Sequence, residues 1–364
     1  MDFHPAGLAT GIGSLPFLEA DQAVQLILEN VPDIPHWPQL PQRGEQEGFV
    51  FQFLYPLVNY GLLSISNGRA SFDTAHPDWA NRLTRFYSVY LEVEAGDSLA
   101  LEEFAFPPDA AAGFYAFLEE VSKKGPASAL YFKGQLAGPL TVAFQLEDEK
   151  GRLAYYDEQL RDLVVKSLAL HARWQAGKLA ALGRSAIIFV DEPAISAYGK
   201  SSFITVTREM IQSDLDTIFQ AIHKTGALAG AHSCDAIDWS ILFESDLEIV
   251  NLDIYGYGNS LLPYVRELKI FLQRGGVMAW GIVPTHEKVW EEDENSLLAK
   301  LYELWQELEK RGIEREILQQ QSLITPACGT GLLTPGLASR IYHLNKAVSE
   351  KIRMSDWSFP ATDV

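Results

Sequence analysis

The chain has 364 residues, 47% of them hydrophobic, and a formal net charge of −19. Such length and apolar content sustain a large buried core, while the acidic balance and the lack of any Lys/Arg run exclude a nucleic-acid surface, which needs clustered cations. Two cysteines, no apolar stretch near the ~20 residues of a membrane span, and a Met-Asp-Phe-His-Pro start without signal-peptide character predict a cytoplasmic protein, not a membrane or disulfide-framed one.

Leu8-Ala-Thr-Gly-Ile-Gly-Ser-Leu-Pro reads as a first strand ending in a turn, followed by a helix from about Ala20 to Asn30. A second strand is expected near Pro35 to Leu40, where prolines weaken the pattern. Residues of about 49–105 follow no strand–helix rhythm. Tyr55 to Phe72, with Ser66-Asn-Gly-Arg inside it, predicts a hairpin within an insertion. From about residue 127 short apolar runs start at Ala129, Ser185, Ala227, Glu248, Val277 and Gln321. Amphipathic helix patterns separate them, over roughly 152–182, 207–225, 236–245, 260–274, 293–319 and 335–352. Strands alternating with helices imply parallel βαβ units. The expected fold is α/β: one (β/α)8 TIM barrel over residues 1–364, with the inserted hairpin region at about 49–105.

In such barrels reactive side chains stand at the C-terminal ends of the strands. His232, Cys234, Cys328, Asp191 and Asp253 all fall there. In a strand, His232-Ser-Cys aims histidine and cysteine to one side, and Cys328 closes another apolar run. Two thiolates and an imidazole are zinc ligands, and Asp253 is the favoured carboxylate for a fourth position, ahead of Glu244 and Glu248. That donor set leaves a net charge near −1, poor for activating water but suited to holding a substrate thiolate. Taken singly, each residue also reads as a core histidine or a small buried cysteine. Asp191-Glu-Pro offers a carboxylate for an ammonium group, or a helix N-cap through Asp191 or Glu192, and the residues leave both open. Gly11-Ile-Gly-Ser presents backbone groups and a hydroxyl to a carboxylate or amine. Lys133-Gly-Gln-Leu-Ala-Gly-Pro reads as a strand-to-helix turn.

Taken together, Ile12-Gly-Ser-Leu-Pro, Leu136-Ala-Gly-Pro-Leu-Thr, Val190-Asp-Glu-Pro-Ala, His232-Ser-Cys, Asp253 and Pro326-Ala-Cys-Gly resemble the catalytic barrel of cobalamin-independent methionine synthase. The resemblance implies a Zn2+ enzyme that methylates the homocysteine sulfur. It makes His232, Cys234 and Cys328 zinc ligands, with Asp253 where the family has a glutamate, and places Ile12, Ser14 and Asp191 on the amino-acid part of homocysteine. Departures bear on the donor. Phe144-Gln replaces the family's folate-stacking tryptophan, and only one of its two barrels is present. The family's proton-donating histidine is missing from Ala279-Trp-Gly-Ile-Val-Pro, with His286 displaced along the loop as the catalytic candidate beside Asp191. A substrate-amine glutamate has no clear match near Glu47 to Gln52.

A methyl-corrinoid or corrinoid protein is therefore the expected donor, in place of a folate polyglutamate. Two alternatives remain: a methylcobamide:thiol methyltransferase of the coenzyme M type, and a non-catalytic zinc- or corrinoid-binding protein. The uroporphyrinogen decarboxylase type needs arginines that the N-terminal strand ends, with Arg43 alone, do not supply.

Overall fold

Apolar runs bounded by glycine and proline become strands in the second half of the chain. The computed structural model describes residues 3–66, 68–203 and 205–354. In chain order the strands are β1 (Leu8–Ala9), β2 (Leu63–Ser66), β3 (Arg69–Phe72), β4 (Tyr131–Ala137), β5 (Leu146–Glu147), β6 (Ser185–Asp191), β7 (Leu228–Ser233), β8 (Ile249–Asp253), β9 (Val277–Val283) and β10 (Ser322–Pro326). Seven of them form one parallel sheet in the order β1-β10-β9-β8-β7-β6-β4. Sequential βαβ crossovers of one hand curl this sheet with its helices outside.

Between its edges, β1 and β4, runs the segment His36–Gln39. It makes single parallel bridges, Ser14 with Gln39 and His36 with Lys133. Leu15 donates its N–H to the Gln39 carbonyl at 2.8 Å, and Lys133 donates to Pro35 at 2.9 Å. Pro35 and Pro38 have no N–H to give, so the expected second strand pairs at points and builds no ladder.

The helix Ala20–Asn30 lies where its pattern put it. Asp157 caps Glu158–Ala180 by accepting from the N–H groups of Gln159 and Leu160, and Thr207 caps Arg208–His223 through Met210. Asp293 and Ser296 form a reciprocal capping box on Glu294–Lys310. Elsewhere the expected lengths shrink. The 236–245 pattern yields only Ser240–Phe243, and Pro263 breaks 260–274 into a 3-10 stretch, Gly258–Tyr264, and the helix Val265–Gln273. The 293–319 pattern divides into Glu294–Lys310 and Arg315–Gln320, and the last helix is Pro335–Met354. No helix among the described residues is long and apolar enough to cross a membrane.

The insertion also differs in part from expectation. Tyr55–Asn59 is helical, and the hairpin is confined to β2 and β3, paired from Leu63 with Phe72 to Ser66 with Arg69. Asn67 of the expected turn lies outside the described residues. β5, which follows β4 and lies far along the chain from the hairpin, adds a third strand beside β3. Trp37, Phe106 and Trp174 pack edge-on at 5.5 and 5.7 Å, holding this region to the helix Glu158–Ala180. Gln175 on that helix accepts from the Trp37 indole at 2.8 Å and donates to the Gln135 carbonyl at 3.0 Å, leaving the aromatic layer with satisfied polar groups.

Inside the sheet, Phe3, Leu8, Ile34, Ile187, Phe189, Leu228, Ile249, Val277, Ala279 and Leu323 form a separate apolar cluster. Residues two apart share a face, so Ile187 and Phe189 lead to Asp191, Leu228 leads to His232, and Ile249 leads to Asn251. The strands thus begin apolar and end polar. That gradient places the chemistry at one rim.

Candidate metal centre

Register builds the site first. Asp191 pairs with His232, and His232 with Asn251, so three polar side chains form one row across β6, β7 and β8. Cys234 stands one residue beyond β7 and Cys328 two residues beyond β10. The ligand atoms of His232, Cys234 and Cys328 all lie within 4.8 Å of one another.

Asn251 fixes the imidazole. Its amide nitrogen donates to the Ala279 carbonyl at 2.8 Å and to the Thr325 hydroxyl at 2.7 Å. The Ala279 carbonyl can only accept, so the amide oxygen must face His232 Nδ1, with which it pairs. The Nδ1 position therefore carries the proton, and Nε2 is the nitrogen available to a metal. Nε2 is buried without a hydrogen-bond partner. Burial opposes charge on this ring, but Cys234, Asp191 and Asn251 outweigh it and hold the pKa above the usual histidine value. The two thiols act as a pair. Cys328 and His232 next to the Cys234 sulfur bring its pKa down to about 4, while hydrogen bonding to that sulfur and burial push Cys328 up.

This arrangement fits zinc. Tetrahedral bonds of about 2.3 Å to sulfur and 2.0–2.1 Å to nitrogen place ligand atoms roughly 3.3–3.8 Å apart. The widest pair needs at most about 1 Å of closure. Three protein ligands leave a fourth position open. Asp253 does not join the three: its carboxylate accepts the Gly256 N–H at 2.8 Å and caps the short helix Ile254–Tyr257. Burial, with Cys234 adding to it, raises its pKa. Glu244 is committed to Arg208 at 2.6 Å, and Glu248 to His223 at 3.0 Å and the Ala229 N–H at 2.8 Å.

Around this centre the other expected residues divide. Ser14 lies beside the Cys328 loop: its carbonyl accepts from Thr330 N–H at 3.0 Å, and its hydroxyl from Gly331 N–H at 3.1 Å. A Cβ on Gly329 would come 2.3 Å from the Ser14 oxygen, so this close approach requires glycine. Ile12 is buried, with its carbonyl accepting from the Lys133 ammonium at 2.5 Å. Asp191 is buried and its Oδ1 has no partner. Burial drives its pKa up to about 6 against His232 and Lys133, which pull it down. The N-cap alternative falls to Glu192, whose carboxylate accepts from Leu140 N–H and Thr141 N–H, both at 2.8 Å, at the start of Pro139–Ala143. Asp191 is thereby left free. His286 is exposed, its ring 5.8 Å from that of Tyr255.

Three residues escaped the sequence reading. Asn251 and Lys133 were each visible as a polar residue inside an apolar run. Glu47 opens the stretch to Gln52, where the sequence offers no clear match for a substrate-amine glutamate. It is fully buried, takes Arg43 on one oxygen at 2.7 Å, and leaves Oε2 without a partner. Its segment is tied to the same rim, with Gln42 donating to the Gly331 carbonyl at 3.1 Å.

Replacing Asn251 with leucine removes the orienting acceptor while keeping the volume. Zinc affinity measured by chelator competition is expected to fall roughly 10- to 100-fold. Unchanged affinity would remove the orienting role.

No protein-family model matches the chain, and no curated protein matches it by sequence. Among solved structures, it resembles a B12-independent methionine synthase from Shewanella sp. W3-18-1 in complex with selenomethionine, with a TM-score of 0.54 at 13% identity, over 95% of this chain and 97% of that one. A GH20 module of a pneumococcal exo-β-D-N-acetylglucosaminidase has a TM-score of 0.46 at 10% identity, over 96% and 86% of the chains. A Cellulomonas fimi endo-β-1,4-mannanase double mutant has 0.43 at 11%, over 94% and 71%. The last two carry no argument. The first concerns the fold: an α/β chain with a curled parallel sheet, of the TIM-barrel kind.

Proposed function

We propose that this protein is a zinc-dependent thiol S-methyltransferase that methylates homocysteine to methionine. The observation that carries this reading is the convergence of His232, Cys234 and Cys328, with the buried His232 Nε2, which makes no hydrogen bond, gathered with two sulfurs. In the same reading His36–Gln39 serves as the eighth strand of a (β/α)8 barrel.

Zinc held by these three residues would lower the pKa of an incoming thiol and keep it a nucleophile at neutral pH. The chain's own residues do the rest by position. Asp191 Oδ1 and Glu47 Oε2, both buried and unpartnered, suit the acceptor's ammonium group, and the Ile12–Ser14 turn suits its carboxylate. Holding that end fixes the sulfur for attack in line on a methyl group. His286, exposed at the rim, is the candidate for proton exchange with solvent. The donor we favour is a methyl-corrinoid. Phe144, a smaller ring than the family's tryptophan, is packed against Phe203 at 5.0 Å and Tyr155 at 5.1 Å, and a net charge of −19 disfavours a polyanionic folate.

Zinc X-ray absorption with and without homocysteine tests the reading. Two sulfur ligands should become three when the thiol is added. A sulfur count that ignores homocysteine would overturn it.

A further inference from the structure

Lys133 is the only lysine or arginine that is buried among the described residues, at 0% exposure. An interior ammonium is costly unless it is paired, and a buried ion pair taken as a whole often adds little to stability. Packing alone gives no reason for a cation here. Its contacts suggest one. Nζ donates to the Ile12 carbonyl at 2.5 Å, reaches Gln135 Oε1 at 3.4 Å, and lies 4.5 Å from the Phe189 ring centre. Burial draws the Lys133 pKa down to about 7 against the attraction of Asp191, and the hydrogen bonds of Nζ go to Ile12 and Gln135 and not to that carboxylate. From the neighbouring segment the imidazole of His36 faces Lys133, neutral, with Nδ1 on the Trp37 carbonyl at 2.9 Å and Nε2 on the Tyr342 hydroxyl at 2.7 Å.

This division of contacts is unusual for an ion pair. An arginine or lysine bonded directly to Asp191 would consume the carboxylate. Here the cation is anchored on a backbone oxygen, so it offsets the buried negative charge and leaves Oδ1 open to a ligand's donor. The same anchor fixes the Gly11–Ser14 turn from beneath. That turn is otherwise held by Ser14 against the Cys328 loop and by His36 and Tyr342 behind Gly11, where a Cβ would meet both at 2.3 Å.

We infer that Lys133 is the positioning residue for the amino-acid end of the acceptor: through the Ile12 carbonyl and the field on Asp191 it sets the turn and the carboxylate as one recognition unit. This rests on the homocysteine reading above. Lys133 touches neither the three metal-ligating side chains nor, in this assignment, the acceptor's sulfur, so its loss should separate recognition from metal chemistry.

The test compares wild type, Lys133→Met and Lys133→Gln, with homocysteine and its desamino analogue 4-mercaptobutanoate as acceptors and methylcobalamin as donor. Wild type should prefer homocysteine. Lys133→Met should keep its zinc and its far-ultraviolet spectrum. Its homocysteine KM should rise about tenfold or more, the scale of a lost charged hydrogen bond, with little change for the analogue, so the preference narrows. Lys133→Gln, which can still donate to the Ile12 carbonyl, should recover part of the KM. A preference unchanged in both variants, or an equal loss for both acceptors, would overturn the positioning role. Should Lys133→Met not fold, the glutamine variant alone decides it by the same ratio. A wild type with no preference for homocysteine would instead defeat the acceptor reading and leave Lys133 without its task.

Discussion

Cys328→Ser is expected to lose zinc and methyl transfer together. Structural zinc sites bind with roughly 10–16 kcal/mol at neutral pH, so each of three or four ligands carries roughly 3 kcal/mol or more, above about a hundredfold in affinity. A serine hydroxyl, protonated at neutral pH, does not replace a thiolate. Two features of the site deepen the loss. Cys328 lies in a loop fixed by Ser14 through Thr330 and Gly331, so the backbone at 328 is held and a shorter, harder oxygen is not brought to the metal by a loop shift. Asp253, the carboxylate favoured from the sequence as a fourth ligand, is held by the Gly256 N–H. Zinc per chain should fall from near one toward zero, and methionine formation from methylcobalamin and homocysteine should fall below detection. The substitution lies outside the strands, and the far-ultraviolet spectrum should be unchanged. A Cys328→Ser protein that keeps full zinc and turnover would end the metal assignment, and with it the reason for reading this rim as a thiol site.

Much of this rim was legible in the chain itself. Six apolar runs ended within a residue or two of β4, β6, β7, β8, β9 and β10, because glycines, prolines and capping residues bound them on both sides. The parallel register then brought His232 level with Asp191 and Asn251, which strand alternation alone anticipates once the order of strands is known. What stayed hidden depended on long-range closure. The second strand expected near Pro35 to Leu40 falls on the bridge between β1 and β4, but Pro35 and Pro38 hide that the segment pairs at two points instead of in a ladder. Nothing in Leu146-Glu announces that it will join a hairpin formed some seventy residues earlier. Glu47 resembles any helical surface acid, and only the fold buries it. Asp191-Glu192 shows the limit most clearly. Two adjacent carboxylates invite either a cap or a ligand role, and the strand's alternation assigns one of each: Glu192 goes outward to the N–H groups of Leu140 and Thr141, and Asp191 goes inward to the row with His232.

That division makes Asp191→Asn the sharper of the two large-effect substitutions. Asparagine keeps the shape and volume and removes the charge, so packing against β4 and β7 should persist. Asp191 Oδ1 is buried and unpartnered, and Lys133 stays anchored on Ile12 whichever residue stands at 191. If the oxygen accepts from the acceptor's ammonium, its loss removes a charged hydrogen bond and places an amide beside a buried cation, at a combined cost of roughly 3 kcal/mol or more. On that scale kcat/KM for homocysteine should fall about 10²-fold, while zinc content and the appearance of a third sulfur at saturating thiol are retained. The contrast with Cys328→Ser is the point of the experiment, for one variant should lose the metal and the other only the substrate's grip. Activity within about threefold of wild type would free Asp191 from the acceptor and leave its buried, unpaired oxygen needing another partner. Loss of zinc alongside activity would instead make Asp191 part of the metal's support through His232, its neighbour in register.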